Sequence, residues 1–132
     1  MEQLVYVSTS RVMPDSATIE AILSASRRNN ARDGLTGLLV TGGRRFLQVL
    51  EGPSEQLAAA YTRIRADERH FALVQLSRRP IVARSFADWS MGFEQGYATS
   101  LASVVEQLTE RVADPDLKAQ FRSFAEMHSQ PA

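Results

Sequence analysis

The sequence predicts an α+β domain whose strands and helices follow in the order β-α-β-β-α-β-β. Three observations predict it. Short apolar runs alternate at the two-residue strand period, two longer stretches repeat apolar residues at helical spacing, and glycine or proline breaks fall between them.

Leu4-Val5-Tyr6-Val7-Ser8 marks the first strand, over residues 3–9. Pro14-Asp15-Ser16 then offers cap-type residues, and Ile19, Ile22 and Leu23 follow at helical spacing. That helix is expected to run out near Asn29-Asn30, with Gly34 just beyond. Leu35 to Val40 and Phe46 to Leu50 are two strands joined through Gly42-Gly43, a hairpin signal, and Gly52-Pro53 stops the second. Leu57, Ala60, Tyr61 and Ile64 mark a second amphipathic helix that ends before His70. Phe71 to Leu76 reads as a fourth strand and Ser90 to Phe93 as a fifth. In this ferredoxin-like plan the first and third strands are neighbours, both helices cover one face, and a groove remains between them.

After about residue 96 the pattern changes. Leu101, Val104, Val105, Leu108 and Val112 form one helical stripe, Asp114-Pro115 breaks it, and Leu117, Phe121 and Phe124 form another. The expected division is a domain over residues 1–96 and a helical extension over 97–132, a helix pair packed on the domain or on a partner.

At 132 residues the chain suits one domain able to bury ~65–70% of its unfolded surface. Fifteen basic and fifteen acidic residues cancel, so no global charge favours nucleic acid or anionic membrane. No apolar run reaches the ~18 residues of a membrane span and no secretory leader pattern is visible, so a cytoplasmic location is expected. The absence of cysteine excludes disulfides, thiolate metal sites and cysteine nucleophiles. His70 and His128 have no ligand-spaced companions, so no metal site is expected. Thr41-Gly42-Gly43 is a turn and not a phosphate loop, because no Gly-Lys-Ser/Thr follows it. Glu51 and Asp67 read as solvated or capping carboxylates, and the arginines at 27–28, 44–45 and 78–79 as surface charge.

One residue resists so bland a reading. In Phe46-Leu47-Gln48-Val49-Leu50, Gln48 shares a face with Phe46 and Leu50. A buried amide without partners costs ~1–3 kcal/mol, so something polar should meet it. Tyr6 stands in similar surroundings on the neighbouring strand, and Asn30 and a Trp89-Ser90-Met91 run follow. A phenol and two carboxamides converging on an apolar site suit a flat, hydrogen-bonding ligand. Taken singly, Tyr6 also fits a core tyrosine, Asn30 a helix C-terminal residue tolerant of left-handed geometry, and Trp89 and Met91 core fillers. Composition and periodicity stop there, at a soluble α+β domain with a polar spot in its core.

The segments together go further. Leu4 to Ser8, Ser26 to Leu39, Phe46 to Pro53, Asp67 to His70 and Arg84 to Met91, in that order and spacing, resemble the BLUF family of blue-light sensors using FAD, and the likeness covers about residues 3–95. The match is closest to short members that are little more than the sensor domain. The resemblance implies FAD bound without a covalent link, and the lack of cysteine excludes a flavin–cysteine adduct. It places Tyr6 on the redox-active tyrosine and Gln48 on the glutamine between that tyrosine and the flavin. Asn30 falls on the asparagine that holds the C4=O and N3–H edge of the ring, with Asn29 beside it. Trp89 and Met91 fall on strand-five residues whose orientation beside the glutamine varies. Asp67, Arg69 and His70 match a stretch bordering the ring and ribityl chain, and Arg63 and the arginines at 27–28 are candidates for that chain or the phosphates.

The implied function is a photoreceptor without catalytic turnover, signalling through a Tyr-Gln-flavin hydrogen-bond switch to a downstream protein or through its own assembly as a homo-oligomer. Two other classes fit the residues less well. A flavin-dependent oxidoreductase would show steady-state oxidation of NAD(P)H, and a cofactor-free interaction module would purify colourless from a flavin-replete host.

Overall fold

Short local signals start and stop each element. The Asp15 carboxylate caps the first helix, its Oδ1 accepting the Thr18 N–H at 2.7 Å. Gly34 ends that helix in the left-handed region at φ 70°, returning its N–H to the Asn30 carbonyl. The computed structural model describes residues 1–87, 90–96 and 115–128. Its elements are β1 (Glu2–Ser10), α1 (Ser16–Asp33), β2 (Thr36–Gly42), β3 (Arg45–Gly52), α2 (Ser54–Ala66), β4 (His70–Pro80), β5 (Gly92–Gly96) and α3 (Pro115–His128).

The sheet runs β4-β1-β3-β2-β5, with β5 parallel to β2 and the other pairs antiparallel. The expected ferredoxin-like α+β plan is the plan observed. Its register sets Tyr6 directly opposite Gln48 on β3, and Gln48 opposite Leu39 on β2. Gly37 lets β2 and β3 approach closely, since a Cβ there would run into the Val49 carbonyl oxygen.

The first face of the sheet packs Leu4, Tyr6, Leu39, Phe46 and Leu50 against Ile19 and Leu23 of α1 and Leu57 and Ala60 of α2. On the second face Val5, Leu47 and Val49 are buried as well. There α3 lies against β3, and Arg79 of β4, which reaches Gln3, stands 3.9 Å from Asp116. Pro115 opens α3, a position where its missing N–H loses nothing. The other predicted C-terminal stripe, Leu101 to Val112, lies outside the described residues.

Several boundaries differ from the sequence reading. The helix α1 continues one turn past Asn30 to Asp33, because nothing in Ala31-Arg32-Asp33 breaks it before Gly34. Asn30 is therefore a helical residue, and Gly34 takes the left-handed position. β4 extends to Pro80, since Arg78 and Arg79 continue the ladder opposite Leu4 and Gln3. It is an edge strand with register shifts and with Ala72 at φ 52°, which hides its period. β5 starts at Gly92, two residues later than expected, so Ser90 and Met91 lead into the strand.

Glu51 is fully buried, not solvated. Its Oε2 accepts from Gln3 Nε2 at 2.9 Å and from the Ser85 N–H at 2.8 Å, and its Oε1 accepts the Phe86 N–H at 2.9 Å. Arg84 adds bonds to the Gly34 and Glu51 carbonyls and to Thr36 Oγ1. One buried carboxylate on β3 thus anchors the chain that leads to β5. Glu51→Gln would turn an NH2 group onto N–H donors, and we expect a loss of about 1–3 kcal/mol in denaturant unfolding. An unchanged midpoint would show that this carboxylate does not hold the segment.

Candidate functional site

Between α1, α2 and the first face of the sheet lies an open cavity of about 200 Å³. Ile22, Ala25, Ser26, Asn29 and Asn30 form the α1 wall, a stripe at helical spacing whose middle members are small. Leu39, Phe46 and Leu50 make an apolar floor on which Tyr6 and Gln48 are the polar groups. Ala60, Arg63 and Ile64 of α2, with Asp67, Arg69 and His70, close the remaining side. The eight cofactor-binding residues expected from sequence all line this cavity. Arg27 and Arg28 do not, Met91 reaches the site through Gln48, and Trp89 lies outside the described residues.

Tyr6 and Gln48 are only 4% and 6% exposed, and the phenol donates a hydrogen bond to Gln48 Oε1. Burial pushes the Tyr6 phenol well above its ordinary value of 10.0, with Tyr61 and then Asp67 adding to the shift. The Tyr61 ring stands 6.0 Å from that of Tyr6. On its other side Gln48 turns Nε2 to the Met91 sulfur at 3.6 Å. This arrangement satisfies both ends of the amide. A phenol either donates or accepts, but a thioether sulfur only accepts, so the amide nitrogen belongs on the Met91 side.

Asn30, also buried, donates from Nδ2 to the Ser90 carbonyl at 2.7 Å. Its Oδ1 has no hydrogen bond among the described residues, and Nδ2 keeps a second hydrogen. At the rim, Arg69 stands 2.6 Å from Asp67 and holds that carboxyl below its usual range. Arg63 stands 3.3 Å from Asp33, whose carboxyl is held low chiefly by Arg32. His70 ties β1 to the end of α2, with Nδ1 2.8 Å from Ser8 Oγ and Nε2 2.6 Å from the Ile64 carbonyl. A carbonyl only accepts, so Nε2 carries a proton.

Sequence reasoning missed Ser8 as the partner of His70 and the lining of Ala25 and Ser26. The i, i+3, i+4, i+7, i+8 spacing of residues 22, 25, 26, 29 and 30 was the available signal for the latter. It also read Arg27 as surface charge, whereas its Nε donates to the Met91 carbonyl at 3.0 Å.

The residues fit a flavin ring. The apolar floor suits a flat aromatic face, and the Asn30 and Gln48 amides supply the donor and acceptor functions its polar edge needs. The cavity is smaller than the ~300–1,000 Å³ of drug-sized ligand pockets, so it suits a ring system with the tail outside. Among the described residues no cluster of His, Cys, Asp and Glu could hold a metal ion, and no helix is long and apolar enough to cross a membrane.

Comparison with known proteins gives the same reading. The chain is 36% identical over 88 residues to the blue light- and temperature-regulated antirepressor BluF of Escherichia coli K12, a match covering 67% of this chain and 22% of that protein. It is 32% identical over 112 residues to the photoactivated adenylate cyclase subunit beta of Euglena longa, covering 81% of this chain and 13% of the relative. The chain thus spans less than a quarter of either of these relatives. The dark-state structure of the BLUF protein BlrB superposes with a TM-score of 0.75 at 33% identity, covering 96% of each chain. BlrP1 of Klebsiella pneumoniae, in a manganese and cyclic diGMP complex, gives 0.80 at 25% identity over 95% of this chain and 32% of that one. Residues 1–92 match the family model described as "Sensors of blue-light using FAD", and the chain belongs to that family, BLUF.

Proposed function

We propose that this blue-light photoreceptor holds FAD without a covalent link, its ring in the cavity between α1 and α2, and signals by a rearrangement of the Gln48 amide. The observation that carries the reading is the buried bond from the Tyr6 phenol to Gln48 Oε1, at the edge of a cavity lined also by Asn30. Asn30, with Asn29 beside it, would grip the polar edge of the ring, while Asp67, Arg69, His70 and Arg63 would flank the ring and ribityl chain.

A bound flavin supplies a blue-absorbing ring that, when excited, is a strong one-electron oxidant. The chain's own groups make that useful. The phenolic proton of Tyr6 already lies in the bond to Gln48, so loss of an electron from the phenol drives that proton toward the amide. The amide, once disturbed, has two ends to re-pair: Tyr6 on one side, and on the other the Met91 sulfur, just ahead of β5. Residues 1–96 act as the sensor in this proposal, and 97–132 as the extension that carries the change to a protein partner or to a homo-oligomer contact. No residue is assigned to catalytic turnover, and the protein is proposed to work in the cytoplasm.

Gln48→Leu should keep its flavin and lose the long-lived red-shifted state, because no side chain remains to re-pair. Tyr6→Phe should do the same, because phenylalanine has no phenolic proton. Asn30→Ala should weaken flavin binding about ten-fold, the rate of exchange for one or two hydrogen bonds. Light-minus-dark spectra at matched flavin occupancy test this set, and a normal stable red shift in Gln48→Leu would remove the switch.

Acid or heat denaturation should release all of the chromophore as FAD into the supernatant. Flavin that stays with the precipitated chain would contradict non-covalent binding, and release of FMN alone would contradict FAD.

Because burial favours the neutral phenol, Tyr6 should stay protonated as pH rises past the ordinary tyrosine value. The yield of the lit state should therefore be flat up to about pH 10. A loss of yield centred at about pH 10 in the folded protein, where a solvated phenol titrates, would place Tyr6 in water.

A further inference from the structure

We infer that Arg27 is a positioning residue for the switch: it fixes the Met91 backbone so that the Met91 sulfur meets the Gln48 amide. The inference rests on the reading of Gln48 given above. Arg27 and Asn30 lie one turn apart on the same face of α1. Arg27 Nε donates to the Met91 carbonyl at 3.0 Å, and Asn30 Nδ2 donates to the carbonyl of the preceding residue, Ser90, at 2.7 Å. Two successive peptide groups are thus held by one helix. The side chain between them and the site is Met91, 2% exposed, with its sulfur 3.6 Å from Gln48 Nε2.

The consequence follows from what a thioether does. Sulfur accepts from the amide N–H and has nothing to offer an amide oxygen. Any rearrangement of Gln48 that takes the N–H off the sulfur loses this bond, so the bond belongs to the resting state and favours return to it. Its strength depends on where the Met91 backbone is held. Without Arg27, the α1 bond that remains to this segment among the described residues is that of Asn30 to the neighbouring carbonyl. The charged guanidinium makes the stronger of the two kinds of bond, since donors carrying charge outdo neutral ones. β5 begins at the next residue, Gly92, so the latch sits between the cavity and the edge strand.

The test is thermal recovery of the red-shifted state after a blue-light pulse, in the flavin-loaded 132-residue chain. Position 27 is exposed and helical, so alanine preserves the fold there. Arg27→Ala should slow recovery about five-fold, the rate equivalent of one net hydrogen bond, with flavin content unchanged. Met91→Leu should slow it too, and the double variant should match Met91→Leu alone, as residues acting through one another are not additive. Recovery of Arg27→Ala at the wild-type rate would overturn the inference, and so would an equal slowing by Arg27→Ala in the Met91→Leu background. A wild-type protein with no red-shifted state would remove the Gln48 switch itself and this inference with it. If the wild type cycles and only the Arg27 effect is missing, the switch stands and the positioning role falls.

Discussion

A carboxamide sits among Leu39, Phe46 and Leu50 only if its donor and acceptor groups are met, and the Tyr6 phenol meets one of them. That bond depends on a single register, Tyr6 against Gln48 across β1 and β3. A slip of one residue would turn every side chain of one strand to the opposite face, placing Val5 or Val7 beside the amide and the phenol on the far side. Register is enforced because both faces are buried: Leu4 and Leu50 face the helices, while Val5 and Val49 face the other way. Packing of the whole sheet therefore holds two polar groups in hydrogen-bond contact, and the site inherits its geometry from the core.

The second dependency is how the segment before β5 reaches the site. Residues 85 and 86 hang from the buried Glu51 carboxylate, and residues 90 and 91 hang from Arg27 and Asn30. Gln48 and Glu51 lie three residues apart on β3 and face opposite sides of the sheet. One strand thus carries both the amide that meets Met91 and the anchor for the chain leading there. In the proposed switch, a change at Gln48 would reach a segment anchored at residues 85–86 and 90–91, an arrangement suited to a switch between discrete positions.

The sequence made the chemistry of the pocket legible where it depended on side-chain type against strand period. Gln48 stood out as an amide on an apolar face, and Tyr6 followed from the neighbouring strands of the predicted order. Asn30 was visible but ambiguous by itself. Its reading as a left-handed terminal residue fails because Gly34 performs that task. What stayed illegible depends on backbone partners, which leave no mark in residue type. Arg27 bonds a carbonyl but looked like surface charge, and Glu51, which bonds two peptide N–H groups, looked like a solvated or capping carboxylate. The length of β4 was hidden for a related reason: an edge strand needs no apolar alternation, and its bulges disturb the period further.

The central claim is that one buried amide changes its hydrogen bonds in light, and side-chain nitrogen resonances report that directly. Protein labelled with 15N at glutamine side chains should show one NH2 group set apart from the rest and missing from Gln48→Leu. Under blue light that signal should move and return with the same time course as the absorption shift, while the amides remote from the cavity stay in place. A red shift that forms and decays with the Gln48 signal unmoved would contradict the account.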